Sequence, residues 1–354
     1  MKPFVSIVWV NYNSSKFLST ALGSLKGVSE LDYPRERYEL IVVDNNSTDG
    51  SIEAVRRYLP KLGIRYRVIE LDKNYGFCKA VNIGFNARDP DTKYLAVLNN
   101  DAIPTSQSLL EMVEFLESIP RVAAVQGVVT DLDGKTVAEM GFVCTELLSV
   151  HPLMNRGSIF RIPRKSIPVT YVSGCYSLYR VEAILRVWSK PIVYPDIGFA
   201  YFDDLPLGIL LWSAGYACMA IPKHCALHRG SASFKKASKL QVYLIARGIR
   251  ALSIVLNNRR IHNFEKILEV SILLRRALRR AVKGEELFES YLAGLRDGVK
   301  LGRVVTKLAR VRVDLSRVPL VKVDVRSLIY AIVSRKKLDR YVQRKYLAAL
   351  GVKL

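Results

Sequence analysis

The stretch KYLAVLNNDAIP (residues 93–104) decides how this chain is read. Leu95, Ala96, Val97 and Leu98 form an apolar run of strand length that stops at Asn99, Asn100 and Asp101. A helical pattern follows Pro104, from Leu109 to Ser118. A buried strand that delivers two amides and a carboxylate to its tip fits an open α/β sheet, where ligands bind beyond the carboxyl ends of the strands.

Upstream, the pattern repeats. Strands are expected at residues 4–10, from 38 into the turn DNNSTDGS (44–51), and at 66–71; helices are expected at 15–26, 51–58 and 74–87. Alternation of this kind over about 120 residues predicts a parallel, doubly wound sheet. Polar clusters then close each strand: NYN (11–13), DNNSTDGS, NYGF (74–77) and NND (99–101). Any one of them is an ordinary turn. Together, on the same edge of a parallel sheet, they line one crevice.

Downstream, residues 122–144 read as strands around an Asp-Gly turn, 149–169 as loop, and 169–180 as a strand broken by Gly174. Helices are expected at 181–188 and 205–214, the second ending at Gly215. HCALHRGSAS (224–233) reads as a polar exit. After Phe234 come basic amphipathic helices, including LEVSILLRRALRRAVKG (268–284), with a strand interlude in VRVDLSRVPLVKVDV (311–325).

The net charge of +22 sits almost wholly in that last part. Residues 235–354 carry 29 Lys and Arg against 9 Asp and Glu, whereas residues 1–234 carry 25 against 23. A basic tail suits an anionic partner, a membrane face or a nucleic acid. No nucleic-acid recognition motif occurs in it, so no specific nucleic acid is expected. Aliphatics beside arginines suit peripheral contact with anionic lipid, and equally a helical cap with a basic outer face. No run of eighteen apolar residues reads as a membrane span, and the N-terminal MKPFVSIVWVNYN reads as a strand rather than a leader. The five scattered cysteines read as reduced and intracellular. CMAIPKHCALH (218–228) matches no standard zinc spacing, and GFCKAVNIGFN lacks the ending of a phosphate-binding P-loop.

Seven ordered motifs resemble the family 2 glycosyltransferases, of the fold type GT-A. They are VWVNYN, VVDNNSTDGS, NYGFCKAVNIG, LNNDAIP, VSGCYSLYR, YFDDLPLGILLWSAGY and HRGSAS, and they run through residues 4–234. The pattern is most similar to the branch of rhamnosyl- and galactofuranosyl-transferases. The resemblance implies a GT-A catalytic domain over 1–234, with a mixed β region on the acceptor side, and a basic, mainly helical region over 235–354. It implies an inverting, metal-dependent transferase that moves a sugar from a UDP-, dTDP- or GDP-sugar to a glycan or lipid-linked hydroxyl. The expected location is cytoplasmic, peripheral at the inner face of the cell membrane.

The same resemblance implies residue roles. Asp44 contacts the base; Asn11, Tyr12 and Asn13 flank base and ribose; Asn46, Asn74, Gly76, Phe77, Asn82, Asn99 and Asn100 complete the nucleotide-sugar site. Gly76 lets the chain approach the nucleotide without a Cβ clash. Asp101, in the position of the family's DxD motif, binds Mg²⁺ or Mn²⁺, and His228 completes that site. Asp204 is the catalytic base, and Asp203, Gly174 and Trp212 bind the acceptor. One base and no nucleophile imply a single displacement with inversion.

The chain departs from the pattern at Asn99, which stands for an Asp, at Asp203, which stands for a Glu, and at Pro206, which stands for an acid. Asn99 and Pro206 also motivate an alternative, a non-catalytic nucleotide-sugar binder. A third reading, less favoured, is a protein that binds anionic polymers through its tail.

Overall fold

The computed structural model describes residues 1–201, 203–230, 238–256 and 285–352. Strands and helices alternate as β1 (Phe4–Asn11), α1 (Leu18–Ser29), β2 (Tyr38–Asp44), α2 (Ser51–Tyr58), β3 (Tyr66–Glu70), α3 (Phe77–Asn86), β4 (Thr92–Asn99), β5 (Ala102–Pro104) and α4 (Ser108–Ser118). Next come β6 (Val122–Asp131), β7 (Val137–Glu139), β8 (Phe142–Thr145), β9 (Val150–Pro152), β10 (Ile167–Pro168), β11 (Tyr176–Arg180), α5 (Val181–Val187), α6 (Asp204–Ser213) and β12 (Ala217–His228).

The large sheet runs in the order β10-β12-β6-β11-β4-β1-β2-β3. β1 to β4 are parallel, and β1 and β2 are buried along their whole length, as strands covered on both faces must be. One hydrophobic layer lies on each face of the sheet, with Leu25, Leu40, Met112 and Leu116 on one side and Val8, Val43, Phe85 and Val97 on the other. Beyond β4, β11 is antiparallel to both its neighbours, so the sheet becomes mixed on that side.

Register sets the ligand edge. Asn11 pairs with Asp44, and Val10 with Asn99, so β1, β2 and β4 finish nearly level.

Three expected stretches differ. Residues 149–169, expected as loop, contain β9 and β10. Residues 224–228 are not an exit but the end of β12, which pairs parallel with β6 and antiparallel with β5. A proline cannot donate to a sheet ladder. The register shift between Ala220 and His224 takes Pro222 out of the ladder. Within 169–180, only Tyr176–Arg180 forms a strand, since residues 173–175 turn beneath α6 to meet Asp204.

Among the described residues, the C-terminal region meets the body at several points, among them Arg310 N–H to Val187 O (2.9 Å) and Asp314 N–H to Ser213 Oγ (3.0 Å). α7 (Lys239–Leu256) lies against the helix Glu285–Leu308, where Gly294, Gly298 and Gly302 leave room for the backbone of α7. The strand β13 (Leu320–Val321), all that forms of the expected interlude, joins β8 and β9 in a small sheet. On that sheet the helix Arg335–Ala349 is fixed by Gln343 to the Pro152 carbonyl (2.8 Å) and Tyr346 to the Pro168 carbonyl (2.7 Å). The segment 268–284, Phe202 and the end of the HRGSAS motif (231–233) lie outside the described residues.

Candidate active site

At the ends of β1 and β2 a polar network forms from residues adjacent to the strands. The Asn11 amide donates to Asp44 Oδ1 (2.8 Å), Ser47 Oγ (3.1 Å) and Ser51 Oγ (3.1 Å), and Asn11 Oδ1 accepts from Ser14 Oγ (2.6 Å). Asp44 accepts further from Ser47 Oγ (2.7 Å) and Ser47 N–H (2.8 Å). A carboxylate has about four acceptor directions, so Asp44 keeps roughly one free, on Oδ2. Asn13 and Asn46 take positive φ, which their short polar side chains tolerate. Asn13 Oδ1 accepts from Thr48 N–H (2.9 Å), Asn46 is exposed, and Tyr12 is 40% exposed beside this network.

The next loop joins the same edge through Asn45, a buried residue outside the expected set, whose Oδ1 accepts from Tyr75 N–H (2.9 Å). Asn74 Oδ1 accepts from Gly76 N–H (2.8 Å). Gly76 has φ +85, and a Cβ there would lie 2.8 Å from Phe199 Cα. The close approach that demands glycine is therefore to the chain's own loop. Phe77 stacks on Tyr194 (6.1 Å between centroids). The Asn82 side chain is fully used: it donates to Tyr194 O (2.6 Å) and Asp196 Oδ1 (2.5 Å) and accepts from Val193 N–H (2.7 Å). It fixes the loop that follows α5 and is not turned to the strand ends.

At the tip of β4 the Asn99 N–H donates to Cys175 O (2.9 Å), and the Asn100 amide donates to Asn11 Oδ1 (3.4 Å). Asp101 is 5% exposed, and its Oδ1 lies 3.1 Å from His228 Nε2. β12 delivers His228 there by pairing it with Ala102. Burial works against the imidazolium, but the Cys175 sulfur and the Asp101 carboxylate outweigh it, so the His228 pKa is raised. A carboxylate oxygen and an imidazole nitrogen thus meet at one point, and with the ring proton lost they could hold a cation. No group of three or more His, Cys, Asp or Glu poised for a cation occurs among the described residues. Two protein ligands suit a hard cation that fills its other positions with phosphate oxygens and water.

Asp203 and Asp204 start α6, yet Asp203 makes no side-chain cap bond. Asp204 Oδ2 instead accepts from Gly174 N–H (3.1 Å), and Asp204 Oδ1 is buried without a partner. Burial first, then the Asp203 charge, pushes the Asp204 pKa well above the carboxylate range; burial also raises Asp203. A Cβ on Gly174 would stand 3.2 Å from the Phe77 ring and 3.5 Å from Asp204 Oδ1, so glycine lets the turn pack closely against both. Trp212 lies elsewhere. It is two turns along α6, about 12 Å from Asp204, and its indole N–H donates to Val169 O (2.9 Å), packed into the core.

Behind Gly174 lies a cluster that the sequence did not announce. Glu139 accepts from Ser173 Oγ and from Gln126 Nε2 (2.7 Å), while Gln126 Oε1 accepts from Ser173 N–H (3.0 Å). These residues are far apart in the chain and follow no motif. The one signal was a polar Gln126 inside the apolar run of β6.

The loop from Pro195 to Asp203 covers Gly76. Phe199 and Tyr201 have positive φ, a strained state for aromatic residues. The loop is tied down by Lys79 to Asp196 (2.8 Å), by Cys78 N–H to Phe199 O (3.1 Å) and by the buried Arg247 of α7 to Gly198 O.

The sequence model described as "Glycosyl transferase family 2" matches residues 6–188, about half the chain. A dolichyl N-acetyl-alpha-D-glucosaminyl phosphate 3-beta-D-2,3-diacetamido-2,3-dideoxy-beta-D-glucuronosyltransferase of Methanococcus voltae is 22% identical over 251 residues, 70% of this chain and 73% of that relative. An N-acetylglucosaminyl-diphospho-decaprenol L-rhamnosyltransferase of Mycobacterium tuberculosis is 24% identical over 248 residues, 64% of this chain and 76% of the relative. Among solved structures, the mannosyltransferase PcManGT from Pyrobaculum calidifontis, in complex with GDP-Man and Mn²⁺, superposes over 99% of this chain and 86% of its own, with TM-score 0.52 and 18% identity. That likeness establishes the fold, which is of the GT-A type.

Proposed function

This chain belongs to glycosyltransferase family 2, and from that premise we propose an inverting, metal-dependent transfer of a sugar from a nucleotide-sugar donor to a hydroxyl of a glycan or lipid-linked acceptor. The donor is a UDP-, dTDP- or GDP-sugar. The base and ribose lie over Asp44, Asn11, Tyr12 and Asn13, with the free direction of Asp44 Oδ2 turned to the base. Asn74, Asn99 and Asn100 border the diphosphate. Asp101 and His228 hold Mg²⁺ or Mn²⁺, which when bound neutralises charge on the leaving nucleoside diphosphate.

Asp204 is the base. It accepts the proton of the acceptor hydroxyl as that oxygen attacks the anomeric carbon and the bond to the diphosphate breaks on the opposite face. The observation that carries this reading is Asp204 Oδ1, a buried carboxylate oxygen with no hydrogen bond of ordinary geometry, packed beside Gly174 and the Phe77 ring. A buried polar atom of that kind calls for a ligand. The raised pKa suits a group that must take a proton and then release it. Relatives that act on dolichyl and decaprenol-linked saccharides support a lipid-linked acceptor and peripheral contact with a membrane.

The test is a thermal-shift series with UDP, GDP, dTDP and CDP, each with and without Mn²⁺, on the native protein and on Asp101→Ala. A ligand of the folded state raises the melting temperature. One nucleotide that stabilises the native protein only with Mn²⁺, and fails to stabilise Asp101→Ala, is the expected result. Stabilisation by no nucleotide would refute the donor site as assigned.

A further inference from the structure

The helix Val325–Val333 is built inside out. Its N-terminus is fixed by a capping box: Ser327 N–H donates to Asp324 Oδ1 (2.9 Å), and Asp324 N–H donates to Ser327 Oγ (3.5 Å). Asp324 Oδ2 accepts in turn from Tyr341 Oη (2.7 Å) and Lys345 Nζ (2.6 Å) of the following helix. Tyr330 packs edge-on against Tyr341 (5.5 Å). These contacts fix which way the helix faces. The polar Ser327 is 4% exposed, while Val325, Leu328 and Ile329 are 71%, 41% and 50% exposed.

Positions 325, 328 and 329 stand three and four residues apart, so they share one face. A single exposed aliphatic needs no explanation, but three on one face, with the serine turned inward, do. The same short segment is cationic. Lys322, Arg326, Lys336, Lys337, Arg340 and Arg344 are all exposed. Exposed aliphatics on one helix, with exposed basic side chains beside them in the chain and on the helix that follows, match the boundary of an anionic bilayer, where the aliphatics enter the acyl region and the cations meet lipid phosphates. A nucleic acid would use the cations but leave the aliphatics idle, since single strands are gripped by aromatic stacking and backbone charge. No described helix is long and apolar enough to cross a membrane, so any contact these residues make with lipid lies at its surface.

We propose that the face formed by Val325, Leu328 and Ile329, with the basic side chains around it, docks this protein onto an anionic membrane surface. The docking deepens the proposed use of a lipid-linked acceptor, but it does not depend on the transfer chemistry.

The experiment is co-sedimentation of the full chain with vesicles of phosphatidylcholine alone or mixed with phosphatidylglycerol. Three proteins are compared: native, Leu328→Glu/Ile329→Glu, and Lys336→Glu/Lys337→Glu. Both variants change exposed side chains, and their melting temperatures report folding independently. The native protein should partition onto the anionic vesicles alone, and each variant should do so about tenfold less. Loss only in the charge variant would reduce the contact to nonspecific tail electrostatics and overturn the docking face. So would equal binding by all three proteins, or no vesicle binding at all. A native dimer in gel filtration, dispersed by Leu328→Glu/Ile329→Glu and indifferent to lipid, would give the face to a second copy and also overturn it. Failure of the nucleotide series would leave this result standing, because no residue of the docking face belongs to the donor site.

Discussion

The ends of β1 and β2 and the loop that leads into α6 are joined through Gly76, on which Phe199 packs, but are built in opposite ways. At the strand ends, Asn11 and Asp44 are hydrogen-bonded through every side-chain heteroatom, chiefly to Ser14, Ser47 and Ser51. The loop before α6 carries two aromatic residues at positive φ and ends at a buried carboxylate oxygen with no partner. Networks whose polar groups are all satisfied are rigid; unsatisfied groups and backbone strain mark places held in readiness. The strand-end side, the proposed donor side, is thus set before any ligand arrives. The side bearing Asp203 and Asp204 retains polar capacity.

Four substitutions break or sharpen that contrast. The largest effect is expected at Asp204. Asp204→Asn should lower kcat by about 10²–10⁴-fold, the usual contribution of a general base, and leave nucleotide-induced stabilisation intact. Steady-state kinetics and thermal shift together check this, and loss of both would mean that Asp204 serves the fold. At the strand ends the effect should appear in stability. Asp44→Asn turns an NH₂ toward the donors of Asn11 or Ser47, and urea denaturation should show a loss of about 1–3 kcal/mol. An unchanged urea midpoint would show that the network is not stiff.

Gly76→Ala tests the junction between the two regions. An alanine at φ +85, pressed against Phe199, should cost about 1–2 kcal/mol in urea denaturation and lower kcat as the loop moves. A variant of native stability with weaker nucleotide binding would return Gly76 to the role expected from sequence, close approach to the nucleotide.

The smallest effect is a shift in pH profile. Asp204 must be ionised to act, and burial and the Asp203 charge hold its pKa up, so activity should fall as pH drops through that raised value. Asp203→Asn removes the neighbouring charge, lowers the Asp204 pKa and should move the acidic limb of kcat to lower pH. A limb that stays in place would mean that Asp203 does not raise the pKa of Asp204.

How much could be read in advance follows the same division. NYN, DNNSTDGS and NND were legible as clusters on one sheet edge because each lies just after its own apolar strand, and register alone then brings them level. Asn82 and Trp212 match the family pattern by position, but their polar atoms are taken by Tyr194 and Asp196 and by Val169. Position in a motif fixes where a backbone lies, whereas the direction of a side chain depends on what packs around it. Glu139, Gln126 and Ser173 carried no local signal, since each comes from a different segment.

Periodicity and strand-end chemistry in the sequence determined the α/β alternation, the crevice edge and the carboxylates available to it, because these follow from neighbours in the chain. The resemblance implied that His228 joins Asp101, and the return of β12 shows how; tertiary structure alone decided that Phe199 fills the space over Gly76 and that Val325, Leu328 and Ile329 face outward. The physical reason is separation along the chain: His228 and Asp101 lie 127 residues apart, and such pairings are fixed by sheet register and core packing, which local sequence does not encode.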